Sequence, residues 1–336
     1  MPAPAASAPH RLTTLGTLPS VPNTPTPNAR EPPKMATHRF RPTRYYNVIG
    51  TAEPVLRVAS GDTLIADTID ASGLDAREMV VAERPNPMTG PFFIEGAEPG
   101  DTLAVRIDRL TPSRATGWTY SPLAVTVLDP AAIPDRPATE RAVWNIDQGA
   151  GTVRLQEPPK GLEKFAPPLQ PMIGCFGVAP ARGQALSTAT SAQNGGNMDY
   201  RLFAPGTTAW FPVSVAGALF YLGDGHACQG DGEITGTGIE TSFEMQVTLT
   251  VLKRTIIWPR GETDRDIFTI GNARPLDQAL QHATTEMQRW LGEDYGLAPR
   301  AASHLMGQVV RYDVGNVFNP AYTVACRIAK SWLAKP

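Results

Sequence analysis

Gly223-Asp-Gly-His-Ala-Cys-Gln-Gly-Asp-Gly-Glu233 leads through Ile234-Thr-Gly-Thr-Gly-Ile-Glu240 into an alternating apolar strand. Glycine tolerates positive φ, so the run predicts tightly turning backbone. Apolar segments flank it, residues 211–221 before and 243–252 after. A turn held between two buried strands has little freedom, so Asp224, His226, Gln229, Asp231 and Glu233 point in set directions. That is what a site needs. The same pattern also describes a hairpin end with solvated carboxylates. A calcium loop is disfavoured, because the Asp-x-Asp-x-Asp-Gly spacing is absent.

The rest of the composition narrows the class. With 336 residues the chain can bury a large core. Hydrophobic residues at 42% and charged residues at 18% describe an ordinary soluble protein. A net charge of -2 indicates neither a nucleic-acid groove nor an anionic membrane surface. The 30 glycines and 33 prolines favour turns and strands over long helices. Cys175, Cys228 and Cys326 lie far apart with no CxxC pair, which excludes a disulfide framework and fits a reducing, cytoplasmic compartment. No apolar run is long enough to span a bilayer.

Residues 1–36 are rich in Pro, Ala, Ser and Thr and have no apolar h-region, so disorder is expected there, with Met35 a candidate start. Order is expected from about Thr43. Residues 55–58 and 63–65 bracket Ser60-Gly61-Asp62 as strand, tight turn, strand. The second strand ends at Asp70, a turn residue or a strand-end site residue. Short strands are expected at 124–128 and 142–146. Met172-Ile-Gly-Cys-Phe-Gly-Val178 reads as an apolar strand whose glycines allow close backbone approach. Asn194-Gly-Gly-Asn-Met-Asp199 is polar and glycine-rich. Its Asn197 and Asp199 are either Asx-turn residues or an amide and a carboxylate offered to the same cavity as residues 223–240. Phe243, Met245, Val247, Leu249 and Val251 alternate with polar residues as the clearest strand. Apolar residues from Leu276 to Leu291 recur at helical spacing with Gly292 as the stop, and Pro299 starts a second helix. His282 and His304 read as solvated. The expected fold is mainly β, sandwich- or barrel-like, with a small C-terminal α/β region after about residue 255.

Nucleophile chemistry fails first. There is no Gly-x-Ser-x-Gly elbow and no histidine partnered for a serine triad. A thiol mechanism would need Cys228 near His226, or Cys175 within an apolar strand, where cysteine acts as a small hydrophobe. A lone histidine among carboxylates points instead to a divalent metal, with zinc, manganese, calcium and magnesium all conceivable. A water activated by that metal can attack an amide carbonyl while a second carboxylate shuttles the proton. Asp70 is the best candidate by type for a missing ligand.

Residues 223–233 closely resemble the signature of the acetamidase/formamidase family. Asn194-Gly-Gly-Asn-Met-Asp199, Met172-Ile-Gly-Cys-Phe-Gly-Val-Ala-Pro180, Thr89-Gly-Pro-Phe-Phe-Ile-Glu-Gly-Ala-Glu-Pro-Gly-Asp101 and Ser60-Gly-Asp62 with Asp70 resemble its other motifs, in order. The likeness covers roughly residues 45–330. It implies hydrolysis of short aliphatic amides to carboxylate and ammonia, a largely β fold, homo-oligomers and a bound divalent metal, zinc first with calcium or manganese as alternatives. Residues 37–336 would form the catalytic region. On this reading His226 and Asp70 ligate the metal with Asp224 as a third ligand, Glu233 is the general base, and Asn197 and Asp199 orient the amide. Asn194 stands where many members carry a histidine or aromatic residue; if it faces the cavity, substrate size changes. The alternative is a non-catalytic β-rich binding protein whose Gly/Asp turn holds a structural metal.

Overall fold

The structure is a computed structural model describing residues 35–333. Except at Met35 and Ala36, the expected disordered extension lies outside the described residues. Order starts before Thr43: Thr37–Phe40 pairs in parallel with Thr63–Thr68. Asp62 fixes that entry, its carboxylate accepting from the Ala36 N–H at 2.8 Å and pairing with His38 at 2.7 Å.

Among the described residues strand makes up 39% and helix 15%, a mainly β fold. In a nine-stranded sheet, Phe243–Leu252 lies between Thr63–Thr68 and Thr102–Pro112. Its even alternation of buried and half-buried residues sets which face meets the core. In a ten-stranded sheet, Met172–Val178 and Phe220–His226 are adjacent, and every residue of both is buried. The two sheets share one apolar core, to which the first contributes Val105, Val247 and Leu249 and the second Ile173, Phe176 and Leu222. Helices Leu276–Tyr295 and Pro299–Val309 add a second cluster around Trp290, Met306 and Ile328. No described helix is long and apolar enough to cross a membrane.

Several local expectations change. Gly223 to His226 is not a turn but the end of the buried strand Phe220–His226. Its glycines are there for space: a Cβ on Gly225 would lie 2.2 Å from the Phe243 ring. Leu56–Val58 and Thr63–Thr68 are strands, but they belong to different sheets, so the Ser60–Asp62 turn passes the chain between layers. Val125–Val127 is a single 3₁₀ turn rather than a strand, with no buried residue to anchor a ladder. The first helix runs past Gly292 and closes at Gly296, whose φ of 64° supplies the left-handed cap. His282 is stacked on Trp258, ring centroids 4.3 Å apart.

Candidate active site

Asp224 and His226 are two residues apart on one strand and so share a face. The antiparallel register places Glu240 directly opposite His226. Imidazole Nε2 therefore lies 3.1 Å from Glu240 Oε1 and 3.5 Å from Asp224 Oδ1. Between them the chain turns through Asp231–Glu233, bringing Glu233 back over the pair. On the other side, the N–H groups of Met198 and Asp199 donate to the Gly174 carbonyl at 3.0 and 3.1 Å. A Cβ at Gly174 would sit 2.6 Å from Asp199 Oδ1 and 3.0 Å from Asp224 Oδ2. That glycine is the room both carboxylates occupy. Asp199, Asp224 and Glu233 all take left-handed backbone, φ 47°, 53° and 45°. Such residues cost about 1–3 kcal/mol each and persist only where the surroundings over-determine them.

A shell of amides sets the orientation of this cluster. Gln229 Nε2 donates to the carbonyls of Asp199 (2.6 Å) and Gly315 (3.3 Å), which forces its Oε1 toward His226 Nδ1, 2.8 Å away. Nδ1 must then carry a proton, leaving Nε2 as the nitrogen that faces the acids. Asn319 Nδ2 donates to Asp199 Oδ2 at 2.7 Å. Asn86 Nδ2 reaches both Asn197 Oδ1 (2.9 Å) and Asp224 Oδ2 (3.0 Å). Even so, Asp199 Oδ1, Asp224 Oδ1, Glu240 Oε2 and His226 Nε2 are buried with no hydrogen-bond partner among the described residues.

Four buried carboxylates around one imidazole cannot all ionise unaided. Burial pushes Glu233 and Glu240 up to about 8, against the opposing pull of His226. Burial also raises Asp199 well above the carboxylate range, helped by the charges of Glu233 and Asp224. For His226, burial alone would lower the pKa, but Glu240 and Asp224 outweigh it and hold the ring well above its usual range. The folded cluster therefore keeps protons that the unfolded chain releases above about pH 4.5, so its contribution to stability is fullest below that pH and is lost as pH rises toward 8. Thermal melts of chelator-treated protein should show Tm dropping from pH 5 to 8.5, with a shallower slope in Glu240→Gln. A Tm that stays level or climbs would contradict this electrostatic picture.

A divalent cation fits this donor set. Asp224, His226 and Glu240 offer ligand atoms within 4.8 Å of one another, and so do Asp199, His226 and Glu233. Asp70 is the exception among the sequence-expected ligands. Its two oxygens are taken by Arg114 Nη2 (2.6 Å), Trp118 Nε1 (2.8 Å) and the N–H groups of Ser72 and Leu74 (2.9 Å each). Four donors leave it no lone pair for a metal. Asp70→Asn is expected to cost about 3–5 kcal/mol by stranding the buried Arg114 charge, with metal content unchanged by elemental analysis. Glu240, missed in the sequence, stands in the trio with Asp224 and His226 instead, and only strand register could have revealed it. The thiols are poorly placed for attack. Burial pushes Cys175 well up and raises Cys228, which packs against the cluster around Trp144 and Ala227.

Asn197, Asp224, Glu233 and Glu240 open onto a cavity of about 280 Å³. Arg84, buried Trp118, Tyr120 and half-exposed Phe318 also line it. Asn194 does not face it; that side chain lines a separate cavity.

Fold and site together define a mainly β protein with a buried acidic, imidazole-bearing cavity. The model of the Acetamidase/Formamidase family matches residues 44–184 and 179–284. An acetamidase crystal structure from Yersinia enterocolitica is 31% identical, covering 90% of this chain and 94% of its own, with TM-score 0.79. One from Bacillus halodurans is 29% identical, covering 88% and 98%, with TM-score 0.76. An acetamidase of Mycolicibacterium smegmatis is 30% identical over 240 residues, 56% of this chain and 59% of its own length. The chain spans about six tenths of the length of the first curated relatives it matches. It belongs to the acetamidase/formamidase family.

Proposed function

We propose that the protein hydrolyses a short carboxylic amide to the carboxylate and ammonia in the 280 Å³ cavity. The observation that carries this reading is the buried cluster of His226, Asp199, Asp224, Glu233 and Glu240, of which Asp224, Glu233 and Glu240 line that cavity. Relatives named acetamidase support it. Asp224, His226 and Glu240 would hold a divalent cation, zinc by preference, with manganese or calcium as the oxygen-rich alternatives. Such an ion would supply Lewis acidity to the amide carbonyl and to water.

The chain's own residues do the rest. Asn86 fixes Asn197 Oδ1 as an acceptor, so the Asn197 amide N–H groups can donate to the substrate carbonyl as charge develops on its oxygen. Glu233 takes the proton of the attacking water as the carbonyl carbon becomes tetrahedral. Asp199, beside Glu233, completes the path that returns a proton to the departing nitrogen. The amide bands from Gln229, Asn316 and Asn319 keep these groups from reorienting during the reaction. A homo-oligomer in the reducing cytoplasm is part of the same proposal.

Ammonia release from formamide, acetamide, propionamide and butyramide, with zinc, manganese or calcium supplied, tests the reading. Turnover of one or more of them is expected. Silence on every amide, together with metal-dependent melting, would instead favour a binding protein with a structural ion.

A further inference from the structure

A second cavity, about 450 Å³, lies between the hairpin of Ser191–Ala192 and Gly195–Asn197 and the loop formed by residues 255–258. No charged side chain lines it. Two oxygens on its hairpin wall are left without partners. Asn194 is 5% exposed; its Nδ2 donates to the Val178 carbonyl at 2.8 Å, which fixes the amide orientation and leaves Oδ1 with no donor among the described residues. Ser191, also 5% exposed, has no partner for Oγ. Buried polar atoms in folded proteins are nearly always hydrogen-bonded, to protein, to water or to a ligand. Two such atoms, both in residues that line one cavity, mark a place built to receive a donor. Gln184 and Thr255 add further neutral polar groups, while Ile256 and half-buried Trp258 supply apolar surface.

We propose that this cavity binds an uncharged small molecule bearing N–H or O–H donors on a short carbon frame. Asn194 Oδ1 accepts from it, and Ser191 Oγ exchanges a hydrogen bond with it. The absence of any lining charge selects against ammonium, carboxylate and phosphate, because an ion would be desolvated there with no counter-charge. The chemistry fits either a neutral amide, the substrate type itself in a second place, or a small polyol. The site shares no lining residue with the cavity of the hydrolytic cluster.

Saturation-transfer NMR on full-length Glu233→Gln protein, which is expected to consume amide roughly 10²–10⁴-fold more slowly, distinguishes the two sources. Propionamide is expected to occupy two sites, one of them lost in Ser191→Ala, or erythritol to occupy a single site that Ser191→Ala and Asn194→Leu each weaken roughly tenfold, about one hydrogen bond's contribution. Two propionamide sites with no erythritol binding assign a neutral amide; erythritol binding with one propionamide site assigns a polyol. Ser191→Ala deletes a single oxygen, so the test survives if Asn194→Leu does not fold. One propionamide site with no erythritol binding, binding unchanged in both variants, or displacement of the probe by ammonium or acetate would each overturn the proposal.

Discussion

Glu233→Gln is expected to lower kcat for a short amide by roughly 10²–10⁴-fold while KM moves little. Glutamine keeps the size of the side chain and its ability to hydrogen bond, but it cannot take a proton from water. The left-handed backbone at Glu233 is retained, so the loss does not come from displacement. The variant also separates two roles that geometry alone leaves adjacent. Glu233 lies in one trio of possible metal donors with Asp199 and His226. If it acts as the base, elemental analysis of Glu233→Gln finds wild-type metal; if it is a ligand, metal and kcat fall together. Steady-state kinetics and metal content on the same preparation decide the matter.

The second large effect is expected at His226 and its partners. His226→Ala removes the only imidazole of the cluster and should reduce both bound metal and turnover to background. Glu240→Gln should follow it closely, because Glu240 stands opposite His226 in register, its Oε1 3.1 Å from Nε2 and its Oε2 unpartnered among the described residues. Gln229→Leu is the graded case. It leaves every proposed ligand in place but removes the acceptor that holds the Nδ1 proton. Loss of such an orienting partner typically weakens metal affinity by about 10–100-fold, so activity should return when metal is raised. Rescue of Gln229→Leu but not of His226→Ala is the pattern that distinguishes orientation from ligation.

Much of the architecture was legible in the sequence, and the exceptions have physical causes. Alternation over residues 243–252 gave a strand whose buried face is as expected. Helical spacing gave the long C-terminal helix, though not its end, because a glycine inside a helix and one at its cap look alike until φ is known. Five of the six expected site residues, Asn197, Asp199, Asp224, His226 and Glu233, do converge on one cluster and cavity. Asp70 does not join them, because its carboxylate is saturated by local N–H groups and by Arg114 and Trp118, which are remote in sequence. Glu240 went unseen for the converse reason: fourteen residues separate it from His226, and only sheet register makes them neighbours. Asn86, Gln229 and Asn319 carry no charge and no spacing signal, so their hold on the acids emerges only in three dimensions. Glycine was the most misleading residue. In the strand Phe220–His226 it marks close packing rather than a turn.

The most direct test of the central claim is ammonia release from acetamide by chelator-stripped protein, before and after adding back one equivalent of zinc, manganese or calcium. The account predicts activity that disappears on stripping, returns with one of these ions, and does not return in Glu240→Gln. Full activity in protein shown by elemental analysis to be metal-free would contradict the cation-holding role assigned to Asp224, His226 and Glu240.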